Sequence, residues 1–81
     1  MYYVYLLKSK KTGEAYIGFT ADLKKRFSEH NSGKNRSTKA YTPWELVYYE
    51  GFKNREMARD RELKLKHFGQ SLTILKKRVG F

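Results

Sequence analysis

The chain has 81 residues, room for one small domain expected to span 1–81. It carries 18 Lys+Arg against 8 Asp+Glu, a formal net charge of +10, and no cysteine; disulfides and thiolate metal sites are excluded, and a polyanion is the expected partner, nucleic acid before an anionic membrane surface. Seven Tyr, five Phe and one Trp argue against a disordered basic tail, while no apolar run suffices for a membrane span or a signal-peptide core, so a soluble, cytoplasmic chain is expected.

Tyr2-Tyr3-Val4-Tyr5-Leu6-Leu7 is aromatic and β-branched at strand density, Lys10-Lys11-Thr12-Gly13 is turn-like, and Ala15-Tyr16-Ile17-Gly18-Phe19 is a second strand. A hairpin loop of two or four residues sets Tyr5 opposite Gly18 and Leu7 opposite Tyr16, with Gly18 leaving a gap beside both phenols. Thr20 is the expected N-cap of a helix running to about Asn31, with Asp22 favouring its first turn. A polar basic loop follows to about Thr42, then a third strand from Trp44 to Phe52. Asn54 caps a second helix, Arg55 to Phe68, stopped by Gly69, and Ser71 to Arg78 is a short basic helix. The order β-β-α-β-α-α predicts an α+β fold, a small three-stranded sheet flanked by helices.

On the first helix Leu23 and Phe27 mark the buried stripe, and Arg26 and His30, four residues apart, flank it. On the second, Glu62 falls beside the inner residues Ala58 and Leu65, with Arg61 close by. Unpaired buried charge is costly, so these groups either pair with one another across the helices or line a cleft. Two phenols, an arginine, a histidine and a glutamate converging on one concavity make a candidate phosphodiesterase site.

Taken in order, these residues resemble the GIY-YIG nuclease superfamily. The resemblance rests on Tyr3-Val4-Tyr5 and Tyr16-Ile17-Gly18, ten residues between their tyrosines, then Arg26, His30-Asn31, Gly33, Pro43-Trp44-Glu45-Leu46-Val47-Tyr48, Ala58, Arg61-Glu62 and Leu65-Lys66. It covers essentially the whole chain and is closest to small stand-alone bacterial proteins related to the nuclease module of the nucleotide-excision-repair endonuclease. It implies a DNA endonuclease using one divalent metal, Mg²⁺ or Mn²⁺, in repair or recombination. By position, Tyr5 and Tyr16 match the motif tyrosines, one of which would activate the attacking water. Arg26 matches the phosphate-neutralising arginine, His30 a histidine or tyrosine of the same site, Glu62 the metal ligand, and Gly18 the glycine of close backbone approach. The chain departs from the pattern in carrying Tyr3 where the first motif has glycine, Phe19 where several relatives have lysine, and no asparagine after Glu62.

A free phenol, with pKa near ~10, is a poor base at neutral pH, and Arg26 or a protonated His30 is expected to favour phenolate. Between residues 24 and 39 stand six basic residues, Lys24, Lys25, Arg26, Lys34, Arg36 and Lys39, against one acidic; from 53 to 81 there are nine against three. With Arg61 and Gly18 they are the expected nucleic-acid contacts, to which Thr38 and Tyr41 are less favoured additions. DNA is the expected partner, with RNA as the alternative, and no membrane. The competing readings are a nucleic-acid-binding domain of the same fold without turnover, and an adaptor whose basic surface recruits an acidic protein.

Overall fold

Strand alternation sorts the first half of the chain onto two faces of one sheet. In the computed structural model, which describes residues 1–81, β1 (Tyr2–Ser9) and β2 (Ala15–Thr20) form the hairpin, and β3 (Trp44–Phe52) pairs with the other side of β1, giving an antiparallel sheet of order β2-β1-β3. Tyr5 lies opposite Gly18 and Leu7 opposite Tyr16, the expected register. Ser9 closes the turn: its hydroxyl oxygen accepts the amides of Lys11 and Thr12 and donates to Tyr41 O.

Even-numbered β1 residues face one way. Val4 and Leu6, with Ile17, pack on Ala58 and Leu65 of α2 (Arg55–His67) and Leu75 of α3 (Gly69–Val79). Odd-numbered residues face α1 (Leu23–Asn31), where Tyr5, Leu7 and Trp44 meet Tyr16, Leu23 and Phe27. A β-bulge opposite Leu6/Leu7 breaks the alternation in β3. Val47 and Tyr48 therefore both pack on the α2/α3 core, and Leu46 falls on the α1 side.

Caps set the helix ends. The α1 cap is Asp22, not Thr20: the Asp22 carboxylate accepts the Lys25 amide at 3.1 Å, while Thr20 ends β2 and its hydroxyl oxygen accepts the Asp22 amide. Asn54 caps α2 as expected, accepting from the Glu56 and Met57 amides. The final helix is longer than expected. Gly69 begins it rather than separating two helices, because the single non-helical residue Phe68 makes the break, and left-handed Gly80 (φ +70°) ends it. Within the basic loop, Lys39–Tyr41 forms one 3₁₀ turn. No helix is long and apolar enough to cross a membrane.

Candidate active site

Packing of Leu23 and Phe27 against the sheet turns His30, one helical step beyond Phe27, inward to complete burial. There Tyr5 Oη is 2.8 Å from His30 Nε2, and His30 Nδ1 is 2.9 Å from Thr38 Oγ1. The Tyr16 ring stands edge-on to the imidazole, centroids 4.9 Å apart, and 6.4 Å from the Tyr5 ring. The two phenols are not equivalent. Tyr5 is 2% exposed, whereas Tyr16 is half-buried. No buried side-chain polar atom lacks a partner, and the Tyr16 hydroxyl, making no hydrogen bond within the fold, opens to solvent. The gap expected at Gly18 is filled by Tyr5 itself, whose phenol lies over the glycine so closely that a Cβ there would overlap Oη.

The electrostatics correct one sequence expectation. Burial pushes the Tyr5 phenol above its ordinary value, with Tyr16 and Glu62 adding to the rise and Arg26 opposing it. Burial also holds His30 below the usual imidazole value, with Arg26 adding and Glu29 opposing. The imidazole is therefore neutral at pH 7 and does not promote phenolate at Tyr5; desolvation outweighs Arg26.

These shifts give stability a plateau in pH. Below about 6.5 the unfolded chain takes up a proton that folded His30 refuses, so stability falls as pH drops from there towards the lowered folded value. Above about 10 the unfolded chain loses a phenolic proton that folded Tyr5 keeps, so stability falls as pH rises. Each limb has a slope of at most about 1.4 kcal/mol per pH unit per proton. Urea titrations across pH are expected to show a weaker limb below about 6.5 in His30→Gln. The alkaline limb should be weaker in Tyr5→Phe, with a remainder from Tyr48, whose phenol is raised by its hydrogen bond to Glu50. An undiminished acid limb in His30→Gln would contradict the buried neutral ring.

Arg26 and Glu62 do not pair with each other. Arg26 reaches only Glu29, at 3.8 Å, and its side chain is 43% exposed. With Glu29, Lys34, Asn35 and Arg36 it lines a polar crevice of about 360 Å³. Glu62 is buried on α2 in a stripe that runs along β2. Arg59, at i−3, sits 3.4 Å from Glu62 Oε1 and 5.6 Å from the Phe19 ring centroid. Lys66, at i+4, sits 3.0 Å from Oε2 and 5.8 Å from the Tyr16 ring centroid. Phe19 and Tyr16 point to opposite faces of the sheet, so Lys66 links the carboxylate to Tyr16 around the edge of β2.

The remaining cations divide. Lys25 joins Arg26 in a second crevice beside Thr20 and Asp22. Lys39 lies in the 3₁₀ turn. Lys24 lines a mainly apolar groove with Tyr3, Phe27 and Tyr49. Arg61 stands apart, its Nε donating to Glu50 at 2.5 Å, in a crevice with Ser71 and Arg78. Thr38 is fully buried against His30, so it is a support of the site rather than a surface contact. Sequence reasoning gave Asn31 a place at the helix end and in the family pattern but no contact. Its side-chain amide clamps the Trp44 backbone, accepting from Trp44 N at 2.6 Å and donating to Trp44 O at 3.1 Å. The Trp44 indole N–H in turn donates to Thr38 O at 3.0 Å. For Lys66 the signal was available, as the i+4 spacing from a buried carboxylate.

Comparison with known proteins identifies the family. The GIY-YIG catalytic domain family model matches residues 1–77. A UPF0213 protein of Streptococcus pneumoniae is 42% identical over 65 residues, 79% of this chain and 65% of that protein, so the chain spans about two thirds of that relative's length. A UPF0213 protein of Staphylococcus haemolyticus is 36% identical over 80 residues, 95% of this chain and 96% of its own. The solution NMR structure of a UPF0213 protein from Bacillus halodurans superposes with a TM-score of 0.56 at 35% identity, covering 94% of this chain and 86% of that one. The chain belongs to the GIY-YIG family and carries its nuclease fold.

Proposed function

We propose that the chain is a metal-dependent DNA endonuclease, structure-directed or weakly sequence-specific, acting in DNA repair or recombination. The observation that carries the reading is the meeting of Tyr5, Tyr16 and His30 in one cluster, with Arg26 opening from the same helix into a cationic crevice. Glu62 lies at the strand edge beside Tyr16, joined to it through Lys66.

In this reading a backbone phosphate enters the crevice of Arg26, Lys34 and Arg36. Arg26, held only loosely by Glu29, forks two phosphate oxygens and stabilises charge as it builds in the transition state. Tyr16 is the general base for water, since it is the phenol that opens to solvent while burial keeps Tyr5 protonated. Tyr5 and His30 form the wall that fixes the Tyr16 ring. No three His, Asp or Glu side chains cluster into a metal cage. A single carboxylate completed by substrate phosphate and water is nevertheless a normal Mg²⁺ arrangement, and Glu62 fits it once Lys66 moves aside. Bound there, the ion would polarise a phosphate oxygen and stabilise the leaving 3′-oxygen.

The test is a set of labelled flaps, forks, nicks and single strands incubated with and without Mg²⁺ or Mn²⁺. Metal-dependent products bearing 5′-phosphate and 3′-hydroxyl are expected. Binding without cutting on every substrate would instead support a non-catalytic DNA- or RNA-binding domain, a reading favoured by the two cations already on Glu62. Affinity for duplex is expected to fall with salt at a log–log slope of about −4.5, as for roughly five phosphate contacts made by Lys25, Arg26, Lys34, Arg36 and Lys39. A flat response would remove the phosphate track.

A further inference from the structure

We propose that Thr38 is a positioning residue of the site. By accepting the Nδ1–H of His30 it holds the imidazole in one tautomer, with Nε2 as the acceptor for the Tyr5 hydroxyl. The consequence for turnover rests on the nuclease reading above; the tautomer does not.

A neutral imidazole has one N–H, so the three buried groups allow two arrangements. In one, Nε2–H donates to Tyr5 Oη and Thr38 donates to Nδ1. The Tyr5 hydroxyl proton then has nowhere to go, because Oη has no partner in the fold but His30 and is packed against Gly18. An orphaned buried donor is costly. In the other arrangement every proton has an acceptor. Tyr5 O–H donates to Nε2 at 2.8 Å, Nδ1–H donates to Thr38 Oγ1 at 2.9 Å, and the Thr38 hydroxyl donates to Asn35 O at 3.4 Å. The hydrogen bonds run in one direction and end on a backbone carbonyl.

Thr38 is itself fixed by the main chain. Its amide donates to Asn35 O at 3.2 Å, and its carbonyl accepts from the Tyr41 amide at 3.2 Å and the Trp44 indole at 3.0 Å. Trp44 is clamped by Asn31, the residue after His30. The loop that supplies the hydroxyl and the helix that supplies the ring are thus tied together beside the bond they share. With both nitrogens engaged the imidazole cannot turn, and its position sets that of Tyr16, packed on it at 4.9 Å.

¹⁵N NMR of the His30 ring near pH 8, where the ring is neutral, tests the assignment in the free protein. Wild type is expected to show Nε2 as the unprotonated nitrogen and Nδ1 as the protonated one; the reverse overturns the proposal with no variant needed. Thr38→Val keeps the shape but removes the acceptor, and is expected to shift the ring towards the Nε2–H tautomer; Thr38→Ser is expected to keep the wild-type pattern. An unchanged pattern in Thr38→Val also overturns it. In cleavage, Thr38→Val is expected to lower kcat about 10–100-fold with KM for DNA unchanged, and Thr38→Ser to restore it. Full kcat in a Thr38→Val protein with a switched ring would refute the positioning role. Absence of cleavage in wild type would count against the nuclease reading alone, since the NMR result stands without it.

Discussion

Glu62→Gln is expected to abolish metal-dependent cutting, by at least about 10²–10³-fold, while leaving the fold and metal-free DNA binding intact. The size follows from losing the one carboxylate proposed to hold the ion, and with it the charge stabilisation the ion would give the leaving oxygen. Glutamine keeps the volume and one carbonyl oxygen for Arg59 or Lys66. Both cations are more than a third exposed, 54% and 39%, so their charge returns to water rather than being stranded. Tm should therefore move by only a few degrees. Removing a negative charge next to the phosphate site should hold or tighten DNA affinity in EDTA. Thermal melts, gel shifts without metal and cleavage with Mg²⁺ or Mn²⁺ separate the three effects. Cutting at the wild-type rate by Glu62→Gln would end the metal-carboxylate mechanism; an unstable variant would show that Glu62 is structural.

Much of this site was legible because two short-range rules decide it. A tight loop fixes hairpin register, and once Tyr5 faces Gly18, Leu7 must face Tyr16 and both phenols share a face. Helical spacing then places Arg26 and His30 beside the Leu23/Phe27 stripe, and Glu62 beside Ala58 and Leu65. What failed to show was decided at long range. The pairing partner of Glu62 was open between Arg26 and a cleft. Its partners, Arg59 and Lys66, stand at i−3 and i+4 on the same helix; what the order of elements does not specify is that α1 and α2 cover opposite faces of the sheet, which leaves Arg26 to Glu29. Residues 32–42 have no periodicity, and read as a solvated basic loop. Yet Thr38 is buried there, because Asn31 and the Trp44 indole hold the loop through backbone groups that no side-chain pattern reports. The bulge in β3 was likewise silent, since Val47 and Tyr48 suit either face. Relative depth of the two tyrosines follows from the strand order, which puts Tyr5 in the central strand over Gly18 and Tyr16 in an edge strand.

The same geometry makes Gly18→Ala a severely damaging change for a single methyl group. Its backbone is not left-handed, so alanine would be neutral or slightly favourable there by chain entropy alone. The obstacle is Tyr5. A Cβ on residue 18 would overlap the phenol oxygen and lie 2.6 Å from Cζ. A flexible side chain could swing clear; a ring 2% exposed and hydrogen-bonded to a fully buried imidazole has no room to do so. The ring is forced off its rotamer, at about 1–3 kcal/mol, or β2 shifts away from β1; where the Tyr5–His30 bond breaks as well, a buried donor and a buried acceptor are left unmet at a further ~1–3 kcal/mol. A net loss of about 2–4 kcal/mol is expected, lowering Tm by roughly 10–25 °C in a domain of this size, with cleavage falling wherever the Tyr16 wall is displaced. A double-mutant cycle with Tyr5→Phe identifies the cause. Without the hydroxyl, part of the overlap and the whole hydrogen-bond loss are already absent, so the added cost of Gly18→Ala should shrink by at least about 1 kcal/mol. Strict additivity in that cycle would mean that the glycine serves the backbone and not the phenol, and the contact between β2 and Tyr5 would lose its place in the site.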